Sequence, residues 1–231
     1  MRALPRLLSL LLTCVAFAAH ADDAGPAQKE YLPKAGSGRV VVVISGQTGA
    51  SNYTSISQDF ADAGYDTVLV DGNDLWAKGG GGSAMLLGVI ERAQASPHAV
   101  AGKVGVVAFS RGGAAALTYA ARMPEHVATV VVMYPLTDFI QNPADFVGKI
   151  KVPVLMLAGT ADTYKNCCTI EKARALAEAA RANPDVAPLF ELHEYAGAEH
   201  GFNMNTSHQR ALVADSRDRA IAQLRQYLID R

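Results

Sequence analysis

Six short stretches of the chain are almost wholly apolar and rich in Val, Ile, Leu and Met. They predict strands at 39–44, 67–70, 104–109, 128–133, 152–157 and 189–194. The first five lack alternation between apolar and polar positions, which is the pattern of strands buried on both faces in a parallel sheet. Between them, helical patterns fall near 51–63, 83–95, 111–122, 169–182 and 208–229. In the fourth, Ile170, Ala173, Leu176 and Ala180 share a face, and Asn183-Pro184 ends the run. In the last, Ile221, Leu224 and Leu228 do the same. The alternation of strand and helix predicts an α/β fold of three layers, with a mainly parallel sheet of about six strands. In such a sheet chemistry gathers at the carboxyl ends of the strands, so polar residues just after a strand are the candidates.

The first residues follow a different pattern. Arg2 and Arg6 precede an apolar run of 12 residues, 7–18, too short to span a membrane as a helix. Small Ala19 and Ala21 flank His20, and Asp22 and Asp23 follow. This predicts a secretory signal peptide over 1–21 with cleavage after Ala21, and export to a periplasm or the medium. Cys14 follows Thr13, a poor fit to a lipoprotein cleavage site. Cleavage would remove 21 of 231 residues, among them the two arginines, and take the formal charge from −1 to −3. The remaining 22–231 are expected to form one domain large enough for a full core. No basic stripe supports nucleic-acid binding, and no second apolar segment could span a bilayer. Residues 22–38 are polar and Gly/Pro-rich and read as a loose lead-in.

The stretch "VVVVISGQTGAS" at 40–51 has the layout of a strand, a glycine turn and a helix start. With Asp71 after the next strand it has the outline of a dinucleotide-binding unit. Gly46 and Gly49 are spaced G-x-x-G, however, and the third glycine is missing. "KGGGGS" at 78–83 is no phosphate loop either, since no Lys-Ser/Thr pair ends it. It reads as a turn beside the cleft.

A stronger motif lies at "VGVVAFSRGGAAALTYAARMP", 104–124. A buried strand ends at Ala108-Phe109-Ser110-Arg111-Gly112 and a helix of small residues begins at once, as in a nucleophile elbow. So tight a turn strains the backbone of Ser110 and requires small residues two before and two after it, here Ala108 and Gly112. The alternative is an ordinary strand-to-helix turn with a serine N-cap.

Serine needs a base, and the base needs a carboxylate that holds its tautomer. Of six histidines, His20 leaves with the signal, His98 and His126 precede strands, His193 lies within the last strand and His208 begins the last helix. His200 follows the last strand in "YAGAEHGFN" and is the candidate base. Asp162, in "LAGTAD", is the favoured acid, with Asp138 in "YPLTD" as its rival; Asp71 and Asp74 follow the second strand. A turn aspartate can equally cap its own backbone.

The order Ser110, Asp162, His200 and the motifs "AFSRGG", "AGTAD" and "AEHGF" resemble the α/β hydrolases, most of all the dienelactone-hydrolase-like group, over about 39–228. Two departures stand out. That group carries a cysteine nucleophile where this chain has Ser110, and its carboxylate-gripping arginines have no evident counterpart here. The resemblance implies ester hydrolysis through an acyl-enzyme, with no cofactor. It also implies an oxyanion hole built from the backbone amides of Arg111 and of Gln47, with Thr48 in reserve. A non-catalytic binding protein of the same fold and a nicotinamide-dependent oxidoreductase are the competing readings.

Trp76, Tyr134, Tyr164 and Phe202 follow strands and are candidates for the pocket wall, or for plain packing. Only 18 residues, 134–151, separate the fourth and fifth strands, which leaves no room for a substantial lid and predicts an open site. Cys167 and Cys168 are adjacent in "KNCCTI". A vicinal disulfide, two buried thiols and an intermolecular bridge are all open to them. A zinc site is disfavoured by their spacing and by the absence of a nearby histidine in sequence.

Overall fold

The computed structural model describes residues 25–76, 81–204 and 210–228. The expected signal peptide, His208 and the first half of "KGGGGS" lie outside these residues. Among the described residues seven strands form one sheet: β1 (Gln28–Tyr31), β2 (Gly38–Ile44), β3 (Asp66–Val70), β4 (Ala99–Phe109), β5 (Val127–Met133), β6 (Val154–Gly159) and β7 (Phe190–Tyr195). Their order is β1-β3-β2-β4-β5-β6-β7. Only β1 runs antiparallel, against β3; β2 to β7 are parallel.

The apolar runs work as expected of two-sided burial. Along β2, Val40, Val42 and Ile44 enter one core while Val41 and Val43 enter the other. The first core is closed by α3 (Gly82–Gln94), α4 (Ser110–Thr118) and α6 (Ile170–Ala182) through residues such as Leu86, Leu117 and Leu176. The second is closed by α1 (Thr54–Asp62) and α7 (Arg210–Tyr227) through Phe60 and Leu224. A side chain at Gly105 of β4 would come within 2.4 Å of Leu224, so the bare backbone there lets α7 lie close to the sheet. This is the three-layer α/β arrangement.

Four elements depart from the expected pattern. Residues 28–31 are not loose lead-in but the edge strand β1, whose sequence QKEY carries no apolar run because it is largely exposed. Strand β4 starts five residues before the expected 104, and its first half is largely exposed. Short helices α2 (Gly72–Leu75) and α5 (Pro143–Val147) are too brief to show periodicity. Between β5 and β6 the chain adds only α5, which packs beside α6, so the described residues hold no large lid. No helix among the described residues is long and apolar enough to cross a membrane.

Asp66 opens β3 at the amino-terminal end of the sheet, away from the candidate residues. It is fully buried, and neither carboxylate oxygen has a hydrogen-bond partner. Burial first, and the Glu30 carboxylate second, push its carboxyl up to about 6, with His98 opposing. The folded chain therefore favours the protonated form. That contribution is complete below the ordinary carboxylate value of about 4 and is lost as pH rises through about 6. Asp66→Asn should melt above the wild type near pH 8, and the gap should close near pH 4. Equal melting temperatures at both pH values would count against this account.

Candidate active site

Every candidate group lies just past the carboxyl end of a parallel strand. Ser110 follows β4 directly and is the first residue of α4. Its φ is 48°, in the left-handed region that a non-glycine residue rarely enters. What holds it there is close packing of backbone on backbone. A Cβ at Gly112 would lie 2.3 Å from the Ser45 carbonyl oxygen and 2.6 Å from that of Ile44. A Cβ at Gly113 would lie 2.7 Å from Pro135. The helix start is thus pressed between the ends of β2 and β5, and Ser110 is turned outward. No side chain caps α4, so its first-turn amides, Arg111 among them, have no partner within the helix.

The structure brings Ser110, His200 and Asp162 together. His200 Nε2 is 3.0 Å from Ser110 Oγ, and His200 Nδ1 is 2.7 Å from Asp162 Oδ2. The other Asp162 oxygen accepts the Tyr164 backbone N–H at 3.1 Å. The Asp162 side chain is fully buried and that of His200 is 17% exposed. An ionised Asp162 requires the proton on Nδ1, which leaves Nε2 free to accept from the serine hydroxyl. Asp138, the rival acid, is exposed, and its amide bonds the Cys167 carbonyl. Neither His98 nor His126 is near; His98 Nδ1 bonds the Gly36 carbonyl oxygen at the other end of the sheet. His193 is partly buried in β7 against Tyr195.

Two tyrosines hold the imidazole. Tyr164 stacks on it, with centroids 4.5 Å apart and planes 12° apart, and Tyr134 meets it edge-on at 4.7 Å. Tyr134 is itself bound in place: its φ is 40°, and its hydroxyl donates to Asn203 Oδ1. Burial, with Tyr53 next, raises its pKa well above that of a free phenol, so it stays a donor.

Around Ser110 lies a half-open cleft of about 320 Å³, walled by Gln47, Thr48, Tyr53, Tyr134, Tyr164 and Met204. Of the four aromatic candidates, Tyr134 and Tyr164 belong to it. Trp76 does not: it packs on Phe139 and Tyr119. Phe202 is buried behind the site against Tyr134 and Tyr195. Sequence reasoning did not pick out Tyr53 or Met204, since neither directly follows a strand. Gly46 is where the loop after β2 passes nearest the serine; a Cβ there would lie 3.3 Å from Ser110 Cβ and 2.5 Å from the Tyr53 hydroxyl. The next amide, of Gln47, makes no hydrogen bond among the described residues.

Asp71, weighed above as a ribose-binding group, is engaged inside the protein. It caps α2 through the Asn73 amide at 2.9 Å, receives the Ala50 amide at 3.3 Å and lies 3.3 Å from Ser45 Oγ. Cys167 and Cys168 are joined in a disulfide and both are buried. The Cys167 carbonyl accepts the amides of Thr137 and Asp138, tying this loop to the one after β5. Cys168 Sγ falls within 4.8 Å of ligand-type atoms of Asp162 and His200, but in a disulfide it presents no thiolate to a metal.

Similar architecture occurs in solved structures. A candidate dienelactone hydrolase of Klebsiella pneumoniae matches with a TM-score of 0.72 and 21% identity, covering 87% of this chain and 92% of its own. Est1E of Butyrivibrio proteoclasticus gives 0.66 and 15% identity, over 85% and 93%. Esterase 2 of Thermogutta terrifontis, in a form phosphoramylated by tabun, gives 0.67 and 16%, over 86% and 88%. At these identities the likeness shows the shared fold. No curated protein matches the chain. The family model for dienelactone hydrolases matches residues 75–228, a span that includes Ser110, Asp162 and His200. By that match, and with the fold in agreement, the chain belongs to the dienelactone hydrolase family.

Proposed function

We propose that this chain is a serine hydrolase of carboxylic esters, with Ser110 as nucleophile, His200 as base and Asp162 as its orienting acid. The observation that carries this reading is the continuous run of hydrogen-bond contacts from Asp162 through His200 to Ser110, opening on a cleft. As Ser110 Oγ attacks the ester carbonyl, its proton passes to His200 Nε2. The imidazolium is stabilised by Asp162 and by the face of Tyr164. The carbonyl oxygen becomes an oxyanion, which the amides of Gln47 and Arg111 would receive. Collapse expels the alcohol, protonated by His200, and leaves an acyl group on Ser110. Water activated by the same histidine then releases the acid. The phosphoramylated Thermogutta esterase, similar in fold, is in keeping with a reactive nucleophile in such a site.

The disulfide fits this scheme as a brace. It closes the segment that follows Asp162 and carries Tyr164, in which Lys165 and Asn166 also have positive φ values of 50° and 53°. Export is part of the reading, supported by the composition of residues 1–21 and by a disulfide suited to an oxidising compartment.

A fluorophosphonate probe, whose phosphorus bonds to the serine oxygen as fluoride leaves, should label the wild type. Ser110→Ala should abolish labelling, and Ser110→Ala or His200→Ala should lower ester turnover by about 10⁴-fold or more. Labelling that persists in Ser110→Ala would reject the assignment of the nucleophile. A folded wild type that neither labels nor turns over a panel of esters would favour a binding protein instead. Peptide mass mapping without reductant should give the fragment holding Cys167 and Cys168 lighter by two hydrogens than after reduction. If it instead takes up two thiol-alkylating groups without reduction, the brace does not exist.

A further inference from the structure

Gln47 sits in the loop after β2 and Arg111 in the first turn of α4. An oxyanion hole built from both needs the two segments held in a fixed relation. The start of α2, after β3, lies against both. A Cβ at Gly72 would fall 2.1 Å from the Ser45 carbonyl oxygen and 3.0 Å from Gly112 Cα. The next residue, Asn73, reaches both neighbours with its side chain. Its Oδ1 accepts from Arg111 Nη1 at 3.0 Å, and its Nδ2 donates to the Gln47 carbonyl oxygen at 3.2 Å and to Asp71 Oδ1 at 2.9 Å. These partners fix which way the amide faces. Reversed, it would set an NH₂ against a guanidinium and an oxygen against a carboxylate.

We propose that Asn73 is the positioning residue of the oxyanion hole, clamping the loop that carries Gln47 to the helix start that carries Arg111. The inference rests on the hydrolase reading above and on those two amides as its oxyanion donors. Pinning the Gln47 carbonyl fixes the peptide plane that also carries the reserve donor, the Thr48 N–H. On the other side of the Gln47 Cα, the plane that carries its own N–H is held by the Gly49 amide bonding the Gly46 carbonyl at 3.2 Å. The two restraints together leave the Gln47 backbone little freedom to turn. Arg111 Nη2, 3.5 Å from Gln47 Oε1, closes a ring of three residues. Arg111 Nε is buried without a partner, so Asn73 is the main polar anchor of that side chain. Asp71 stands behind the clamp, binding the Asn73 amide and side chain and the Ala50 amide at the far end of the same loop.

Such a clamp matters when negative charge forms on the substrate oxygen, and little before that. The test compares wild type, Asn73→Ala and the near-isosteric Asn73→Asp on an ester the wild type hydrolyses. Asn73→Asp keeps an acceptor for Arg111 but loses the donor to Gln47 and to Asp71, and sets a second carboxylate beside that of Asp71. In both variants kcat should fall by about 10–100-fold with KM changed less than about 2-fold. Affinity for a trifluoromethyl ketone, which forms an oxyanion on adding to serine, should fall by the same factor as kcat/KM. In Asn73→Ala, which adds no charge, the pH profile should keep its midpoint, because the His200–Asp162 pair is untouched. Unchanged kcat and ketone affinity in Asn73→Ala, or full activity in Asn73→Asp, would overturn the clamp while leaving the hydrolase reading intact. So would a joint loss of kcat, KM and pH midpoint, which marks general disruption. A wild type that is neither active nor labelled by fluorophosphonate overturns the hydrolase reading and the clamp with it.

Discussion

The site depends on one close approach: the amino-terminal turn of α4 lies directly against the carbonyl ends of β2. Only a glycine fits at position 112, and only with that glycine can the chain turn from β4 into α4 without an intervening loop. The positive φ at Ser110 follows from that geometry, at a cost of order 1–3 kcal/mol that the surrounding sheet must offset. The same approach brings the Gly46–Gln47 backbone beside the serine. Nucleophile and candidate oxyanion donors are therefore brought together first by backbone packing at the strand ends, on which the Asn73 side chain then acts.

The parallel sheet and the residues at its carboxyl edge are legible in the sequence because both rest on short-range chemistry. Short Val-rich runs without alternation have the length and the β-branched content of strands buried on both faces, and a histidine or aspartate after such a run has one end of a parallel sheet to occupy. Choosing Asp162 over Asp138 takes more, since both follow a strand; the structure buries the first beside His200 and leaves the second exposed. What local pattern does not carry is lateral contact between loops. Asp71 reads as a ribose-binding acid or a turn residue and Asn73 belongs to no motif, and their links to Gln47, Arg111 and Ala50 appear only once three strand ends lie side by side. Trp76 and Phe202 show the converse: position after a strand admits a residue to the right end of the molecule without saying which way it faces. Strand β1 is hidden for a simpler reason, since an exposed edge strand needs no apolar residues to form.

The acid, one wall of the cleft and the ring that covers the base share a single short loop after β6. Asp162 binds the amide of Tyr164, Tyr164 covers the imidazole, and its hydroxyl receives the side-chain amide of Gln47 across the cleft. The paired cysteines follow within a few residues and tie the loop onward to Thr137 and Asp138. Changes in this segment would touch substrate shape and histidine orientation together, which makes it a poor place to alter specificity alone.

The tyrosines on either side of His200 also bear on how products leave. A ring stacked on Tyr164 and met edge-on by Tyr134 has little room to swing between the two halves of a reaction. In the proposed scheme one nitrogen, Nε2, must then collect the serine proton and hand it to the departing alcohol from a single pose. In that scheme the departing alcohol must lie within reach of that nitrogen while the acyl group stays on Ser110. A fixed imidazole thus gives the reaction one side on which its first product is released.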